Sequence, residues 1–431
     1  MDNVPSCNNQ QQDKESVSLL EKGVDLLNNN EIQSAINVFK ELLEEDEEDF
    51  TALYYLGQAR LKINQPEKAL KAFTRALKVF PENPDVLIFQ GITYEILDEK
   101  NKAKECYEKV IEIQPENAKA YCQIGLFYSE KNQHDLAMQY FVMANQINPK
   151  DAAIHINIGN SFDLLGEDEK AIEYYKSALE INPQDASAWF LLGMAYLQIT
   201  NPHLAKQAFL SALSIKPDYV SALIKLGILC YQENLYAEAE ENLLKVLDLE
   251  DSNPEANYFL GLISAENGFH QKAIECFEIA IENNGLNEEA YLNMAKSFIE
   301  IDENELAIDS LLKSHKLNHT NIEVIYLLGF AYFLQAEHDK AIKYFDMATK
   351  IKPNYRDAYY FKAISLVRQG KNAKAIKCFN LILSLNPNDH FALYQKGLIY
   401  LNRKERKKAM ILMKQAKELG NKDADDYIIS N

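Results

Sequence analysis

The chain has 431 residues, of which 47% are hydrophobic and 25% are charged. This composition is typical of a folded globular protein and excludes an intrinsically disordered chain. The net charge of −19 disfavours binding of nucleic acid or anionic membranes by the chain as a whole, because both need a cationic surface. No stretch approaches the roughly 18 uncharged apolar residues of a membrane span, so the sequence predicts no transmembrane segment.

The first segment, residues 1–15, reads MDNVPSCNNQQQDKE and lacks the basic head and apolar core of a secretory signal. Its polar composition predicts a short disordered tail. The six cysteines of the chain form no CxxC pair and no spacing typical of a disulfide framework. Free thiols in a chain of this length indicate a reducing compartment, so we expect a cytoplasmic location.

From residue 16 to residue 423 the chain repeats with a period of 34 residues, twelve times and without insertion or deletion. A glycine in ten of the twelve units and an alanine twelve positions later in all of them mark this period, as Gly193 and Ala205 do in the sixth unit. Two stretches of helical apolar periodicity flank a turn in each unit, and a proline often ends it. The period predicts twelve helix–turn–helix units.

Gly193 lies inside a predicted helix, where glycine costs about 1 kcal/mol relative to alanine. Two helices of a hairpin can approach closely only if neither presents a large side chain at the point where they cross. We therefore expect Gly193 and Ala205 to form that crossing.

These repeats resemble the tetratricopeptide repeat family, whose unit is a helix–turn–helix of 34 residues. The family has a large residue at position 4 of the unit, Leu at 7, Gly or Ala at 8, Tyr at 11, Ala at 20, an aromatic residue at 24, Ala at 27 and Pro at 32. The sixth repeat supplies all eight, in Trp189, Leu192, Gly193, Tyr196, Ala205, Phe209, Ala212 and Pro217. The resemblance implies an all-α solenoid, a right-handed superhelix of antiparallel helix hairpins whose first helices line a concave groove.

In the family, positions 2, 5, 9, 12 and 13 of the first helix line this groove. Position 5 of this chain is apolar or aromatic in every repeat, and position 9 is so in nine of the twelve. One interpretation is a groove that binds an apolar or aromatic segment of another protein, and the other is packing of first helix against first helix. The candidate partner-binding residues at these positions are Tyr54, Phe190, Met194, Tyr258, Tyr326, Phe330, Tyr360 and Tyr394.

The fifth repeat adds a polar candidate site. Asn157 and Asn160, with Asp163 one turn further on, could hydrogen-bond the backbone of a bound peptide. No three consecutive repeats carry the Lys and Asn set of the chaperone-binding clamp found in this family, which disfavours capture of a chaperone tail.

Catalytic and metal-binding patterns are weak. No phosphate-binding glycine motif is present, and His315 and His319 have helical spacing without an HExxH motif. Cys106, Cys276 and Cys378 share one position of the second helix and are expected to be small core residues. We expect no enzyme activity, no metal and no cofactor.

Charge is unevenly distributed between the two ends of the chain. The first repeat ends in the acidic run 41–49, whereas residues 356–423 hold 15 Lys and Arg against 5 Asp and Glu. This basic end is interpreted as a solubilising face, as a docking surface for an acidic partner, or as one side of a head-to-tail contact between copies of the chain. Its densest part consists of Arg403, Lys404, Arg406, Lys407 and Lys408.

Residues 424–431 are too short for a full capping helix and are predicted to form a short tail or partial cap. Part of the apolar surface of the last repeat, around Met410 and Met413, stays exposed unless Tyr427, Ile428 and Ile429 or a partner cover it.

These observations favour a scaffold or adaptor that binds other proteins in a multi-protein complex, through the groove and through the basic end. The alternative is a co-chaperone or cargo-recognition factor that binds transiently exposed apolar segments. A third interpretation is a regulator that acts on nucleic acid or acidic lipid through the basic end.

Overall fold

The structure is a computed structural model that describes residues 8–283 and 288–430, and every regular element in these ranges is an α-helix. The chain divides into two compact units, an N-terminal unit Met1–Pro217 and a C-terminal unit Asp218–Asn431. The N-terminal unit contains α1 (Asn8–Asn28), α2 (Ile32–Glu45), α3 (Phe50–Lys62), α4 (Pro66–Val79), α5 (Pro84–Ile96), α6 (Lys100–Ile113), α7 (Ala118–Glu130), α8 (His134–Ile147), α9 (Ala152–Leu164), α10 (Asp168–Ile181), α11 (Ala186–Gln198) and α12 (Pro202–Ile215).

The C-terminal unit continues the same alternation of two helices per repeat. It contains α13 (Val220–Gln232), α14 (Tyr236–Leu249), α15 (Pro254–Glu266), α16 (His270–Asn283), α17 (Glu288–Glu300), α18 (Asn304–Leu317), α19 (Ile322–Leu334), α20 (His338–Ile351), α21 (Arg356–Arg368), α22 (Asn372–Leu385), α23 (His390–Asn402), α24 (Arg406–Glu418) and α25 (Lys422–Ser430). Within the described ranges, no helix is both long and apolar enough to span a membrane.

Within each unit, consecutive helices pair into hairpins, and each hairpin packs against the next. From α3 onwards every first helix begins at position 1 of the 34-residue repeat, at Phe50, Pro84 and Ala118 in the second, third and fourth repeats. The all-α hairpin fold that the period predicts is confirmed. Its stability comes from contacts between neighbouring hairpins, because one hairpin cannot bury its own apolar face.

Helix α1 begins at Asn8, inside the segment for which the sequence predicts a disordered tail. The expectation of disorder over residues 1–15 is therefore corrected from Asn8 onwards, while residues 1–7 lie outside the described ranges. Residues 10–15 include Gln, Lys and Glu, which favour helix, and contain no Pro or Gly.

The turn inside every hairpin places one residue, at position 15 of the repeat, in the left-handed region. The next N–H then bonds to the carbonyl five residues back, as Asn201 does to Tyr196 at 2.8 Å, which closes the end of the first helix. Asn, Asp and Gly tolerate this backbone best. The twelve residues are Asn30, Asn64, Asp98, Asn132, Gly166, Thr200, Asn234, Gly268, Asp302, Ala336, Gly370 and Lys404, with φ between 53° and 78°.

The glycine of the repeat makes room for an aromatic ring. A Cβ added to Gly193 would lie 2.5 Å from Cε1 of Phe209, a distance that no side chain tolerates. The atoms nearest to this Cβ belong to the Phe209 ring, so the glycine leaves space for the aromatic residue of the second helix. Ala205 is fully buried beside it.

The chain ends in α25, which packs against α24. The side chain of Asn421 accepts a hydrogen bond from the Ala424 N–H at 2.9 Å and so caps α25. Ile428 packs against a cluster that contains Leu412 and the fully buried Met413. Ile411, on the same helix as Met413, remains 60% exposed.

Candidate functional site

The face is formed by positions 2, 5, 9, 12 and 13 of each first helix. Each step from 2 to 5, 5 to 9, and 9 to 12 or 13 is three or four residues, so these positions lie on one side of the helix. We call the surface that these positions form within each unit the first-helix face. All of the groove residues predicted from the sequence, except Asn157 at position 6, belong to it.

In the N-terminal unit the predicted aromatic residues pack against neighbouring helices. The ring centroid of Tyr54 on α3 lies 5.7 Å from that of Phe89 on α5, so it bridges two first helices. The ring of Phe190 on α11 lies 5.7 Å from that of Phe209 on α12. Tyr54, Phe190 and Met194 are all half-buried, so each contributes to packing and keeps part of its surface in solvent.

The asparagines of the fifth repeat are already engaged within the protein. Asn157 donates to Sγ of Cys122 in the preceding repeat at 3.3 Å, and Asn160 accepts a hydrogen bond from the Tyr175 hydroxyl at 2.8 Å. Burial, and to a smaller extent the Asp168 carboxylate, raise the pKa of Asp163. Asn160 retains its amide N–H groups and Asn157 its carbonyl for a further partner.

Tyr258 holds two repeats of the C-terminal unit together. Its hydroxyl donates to Oε2 of Glu289 at 3.2 Å and accepts from Nδ2 of Asn293, also at 3.2 Å. Burial and the Glu289 carboxylate raise the pKa of this hydroxyl. Tyr258 is therefore a polar link between α15 and α17 as well as an aromatic residue of the face.

The C-terminal unit carries a dense group of rings on its first-helix face, at Tyr326, Phe330 and Phe333, and beside it, at Tyr355 and Phe361. We call Tyr326, Phe330, Phe333, Tyr355 and Phe361 the aromatic cluster. Phe361 lies edge-on to Phe330 at a centroid distance of 5.0 Å and contacts Phe333 at 5.3 Å, while Tyr326 lies 5.0 Å from Tyr355. All five residues are half-buried, so the cluster presents ring surface to solvent.

Tyr360 and Tyr394 lie in the last two repeats. The Arg356 guanidinium lies 4.8 Å from the centroid of Tyr360 and forms two hydrogen bonds to Asp389, at 2.9 and 3.2 Å. Tyr394 packs with Met413 in the cluster beneath α25. Both tyrosines are half-buried, and Tyr360 lies against Arg356, whose ion pair with Asp389 links α21 to the N-cap of α23.

The basic residues 403–408 occupy the turn before α24 and its first turn, and all five cations are exposed. Lys408 pairs with Glu405 at 2.7 Å. Among the described residues, no carboxylate pairs with the other four cations, which are Arg403, Lys404, Arg406 and Lys407.

The histidine pair of the ninth repeat lies at the end of α18. The ring centroids of His315 and His319 are 5.1 Å apart. Burial, and secondarily the neighbouring His319, lower the pKa of His315. Across residues 8–283 and 288–430, no group of three His, Cys, Asp or Glu side chains is arranged to hold a metal ion.

The helix hairpins match models of known protein families. The family model described as the cytochrome c-type biogenesis protein H TPR domain matches residues 8–154 and 175–291, more than half of the chain. Models described as tetratricopeptide repeat match residues 152–185, 322–355 and 357–389. The chain belongs to the tetratricopeptide repeat family. This membership supports a role in binding other proteins.

The chain is also similar to several solved structures. The APC/C hetero-tetramer Cut9-Hcn1 is 16% identical with a TM-score of 0.44, and the match covers 94% of each chain. YrrB, described as a TPR protein with an unusual peptide-binding site, is 24% identical over 43% of this chain and 95% of its own, with a TM-score of 0.35. PilF of Pseudomonas aeruginosa is 20% identical over 50% of this chain and 97% of its own, with a TM-score of 0.45. No curated protein sequence matches the chain.

Three residues on or beside the first-helix face were not predicted from the sequence. Phe333 and Glu95 occupy position 12 of their tetratricopeptide repeats, and Phe361 occupies position 6. Position 12 is acidic only in the third and fifth repeats, where position 24 is Tyr and not Phe, Leu or Met. That coincidence was visible in the sequence and would have drawn attention to Glu95.

A pocket of about 490 Å³ also opens between α10, α11 and α12 of the N-terminal unit. Trp189, Leu192 and Tyr196 line it from α11, at positions 4, 7 and 11 of the repeat rather than at the positions of the first-helix face. The indole N–H of Trp189 donates to the carbonyl of Pro183 at 3.0 Å, which fixes the ring at the pocket edge.

Proposed function

We propose that this tetratricopeptide repeat protein is a scaffold or adaptor in a multi-protein complex, and that its first-helix face binds segments of partner proteins. The aromatic cluster of the C-terminal unit is the observation that carries this proposal. Half-buried aromatic rings held by their neighbours supply large contact area at little cost in side-chain entropy, as is typical of residues that dominate binding energy.

The cluster is rigid because its rings support one another. Phe361 contacts Phe330 and Phe333 of the preceding first helix, and Tyr326 lies beside the tilted ring of Tyr355, which immediately precedes α21. A partner's apolar side chain that lies on Phe330 buries further ring surface without any rearrangement of the face. Such a contact depends on apolar burial and is therefore insensitive to salt.

The basic end is proposed as a second and separate contact surface. Arg406 and Lys407 lie in the first turn of α24, where the positive end of the helix dipole disfavours cations. A carboxylate-rich surface of a partner would relieve this repulsion. Binding through the basic end would weaken steeply as salt is raised.

The proposal is tested by capture of partners from a native lysate of the source cells at low and high salt. The full-length protein is compared with Phe330→Ser and with the control Leu381→Ser, which removes a side chain that is 47% exposed on the second helix α22. We expect a stoichiometric partner that survives high salt on the wild type and on L381S and is lost on F330S. Thermal unfolding of all three proteins checks that F330S is folded.

A partner that stays bound to F330S at high salt would refute the aromatic cluster as the binding surface. Many substoichiometric partners would favour the co-chaperone or cargo-recognition alternative. A partner released at high salt from every variant would point to the basic end instead.

A further inference from the structure

The first-helix face of the third to fifth repeats carries a carboxylate near the end of each of its three helices. Glu95 on α5 and Asp163 on α9 both occupy position 12, which is apolar, aromatic or Ser in every other repeat. Glu130, at position 13 of α7, adds a third carboxylate between them along the chain. All three lie in the last turn of their helices, where the negative end of the helix dipole adds to their charge.

Few Lys or Arg side chains of the protein form ion pairs with these three carboxylates. Lys100 pairs with Glu130 at 2.9 Å, and no ion pair reaches Glu95 or Asp163 from the described residues. Glu95 and Asp163 are half-buried, so each carboxylate has lost part of its hydration, and although the charge of Lys100 acts on Glu95, no described cation forms an ion pair with either. A charge in that position is stabilised by an incoming ammonium or guanidinium group.

The buried hydroxyl of Tyr107 is a second observation that indicates a binding site at Glu95. Tyr107, at position 24 of the third repeat, is fully buried, and its ring passes under Gly91 toward Glu95, one helical turn further along α5. The Tyr107 hydroxyl has no hydrogen-bond partner in the described part of the chain. Glu95 lies beside it without forming a well-aligned hydrogen bond, and burial together with this carboxylate raises the pKa of Tyr107.

The fifth repeat has the same arrangement of Tyr and carboxylate, but here the tyrosine hydroxyl has a hydrogen-bond partner. The Tyr175 ring passes under Gly159, and its hydroxyl bonds to Asn160 at 2.8 Å, beside Asp163. Tyr and an acidic residue therefore occur together twice, two repeats apart.

Apolar side chains flank the carboxylates. Ile96 and Leu164, next in sequence to Glu95 and Asp163, are 51% and 60% exposed, and Leu126 at position 9 of the intervening helix is 38% exposed. Such side chains cover the aliphatic stem of a bound Lys or Arg and the apolar residues beside it.

We infer that the first-helix face of repeats three to five binds a segment of a partner protein in which Lys or Arg side chains alternate with apolar residues. The cations bind Glu95 and Asp163, and the apolar residues lie on Ile96, Leu126 and Leu164. An ammonium that donates to Glu95 leaves one carboxylate oxygen for the Tyr107 hydroxyl, so both buried polar groups become satisfied. The inference rests on the proposed function, since it assigns a partner chemistry to part of the same face.

The test uses the full-length protein and a fluorescein-labelled peptide of sequence KLGSKLGSKLGS, with ELGSELGSELGS as the counterpart, followed by fluorescence anisotropy. An ionic strength of about 0.15 M limits the reach of distant surface charges to roughly 8 Å. The isosteric variant Glu95→Gln/Asp163→Asn is compared with Glu112→Gln/Glu173→Gln, which makes the same charge change on exposed residues of the second helices α6 and α10.

We expect the Lys peptide to bind the wild type and E112Q/E173Q alike and to bind E95Q/D163N at least tenfold more weakly, whereas the Glu peptide does not bind. Equal weakening in both variants would show a general effect of net charge and would overturn the inference, as would equal binding of the Glu peptide. Unchanged thermal midpoints of both variants confirm that the fold is intact.

Sedimentation of the protein alone identifies a different occupant. If the wild type self-associates at this ionic strength and E95Q/D163N does not, the cations come from the basic end of a second copy, and the assignment to a partner protein is wrong. Failure of the peptide to bind while F330-dependent capture persists removes only this inference. Loss of F330-dependent capture with peptide binding intact removes the aromatic cluster and leaves the carboxylate surface.

Discussion

Two of the twelve left-handed turn positions are occupied by Ala and Lys. Both residues have a Cβ, and neither side chain forms hydrogen bonds to the local backbone as readily as Asn or Asp does. Ala336 and Lys404 have φ of 58° and 61°, whereas most of the other turns use Asn, Asp or Gly. A Cβ in this conformation costs about 1–2 kcal/mol. These residues hold local strain that the hairpin tolerates because the turn is fixed by the helices on either side.

We predict that Ala336→Gly stabilises the protein by about 0.5–1 kcal/mol, since removal of the Cβ outweighs the extra freedom that glycine gives the unfolded chain. The urea midpoint of unfolding measures the gain. Ala341→Gly, at a fully buried position of the following helix, is the control and should lower the midpoint. A lower midpoint for A336G would mean that the left-handed turn carries no strain.

The Arg356–Asp389 pair predicts a dependence of stability on pH. Although burial disfavours its charge, hydrogen bonds from Arg356 and from the Ala392 N–H lower the pKa of Asp389 below its ordinary value. The stability that the pair contributes is therefore present above the unfolded pKa of about 3.9 and is lost as pH falls below it.

We expect Asp389→Asn to lower the thermal midpoint at neutral pH and to flatten its fall as the pH drops below about 4. Asp357→Asn is the matched control. Asp357 also contacts Arg356, at 2.7 Å, but its side chain is 50% exposed, against 7% for Asp389, so its loss should cost less than about 1 kcal/mol. Equal effects of the two variants would contradict a special role for the buried carboxylate.

At the scale of the element, α25 covers the last repeat. Removal of Ile428 exposes the cluster around Met413 and Leu412, so we predict that Ile428→Ala destabilises the C-terminal unit by about 1–2 kcal/mol, less than for a fully buried residue. Lys422→Ala, at an exposed position of the same helix, is the control. Unchanged thermal unfolding and solubility of I428A would show that α25 does not act as a cap.

The helices themselves could be predicted from the sequence because glycine, alanine and apolar residues recur in one phase. The extent of α1 could not, since residues 8–15 are polar and belong to no repeat phase that would mark them as helical. Packing and groove could not be separated either. A residue at position 5, such as Tyr54, packs against a neighbouring first helix and also keeps part of its ring exposed. The same side chain therefore fits both the packing interpretation and the groove interpretation.

The aromatic cluster was predicted in part, through Tyr326 and Phe330. Phe333 and Phe361 were missed because positions 12 and 6 vary widely among the repeats, and only the packing of α19 against α21 brings them together. The link from Tyr107 to Glu95 connects position 24 to position 12 across a hairpin. A periodic reading of single positions does not detect such pairs.

For the molecule as a whole, the two units carry different chemistry on faces built from the same positions. Repeats three to five of the N-terminal unit carry carboxylates beside exposed apolar side chains, and the C-terminal unit carries the aromatic cluster. Because each repeat contacts mainly its neighbours, a substitution on one unit is expected to leave the other unit's face unchanged. Partners with different requirements can therefore be held by one chain.

The constant turn geometry has a consequence for how such a protein changes over time. Each hairpin ends its first helix at the same left-handed residue and starts the next repeat after the same number of residues, so any repeat can be followed by any other. Duplication or loss of one whole repeat changes the number of repeats between two contact surfaces and alters neither surface. The length of such an array is therefore expected to change by whole repeats during evolution.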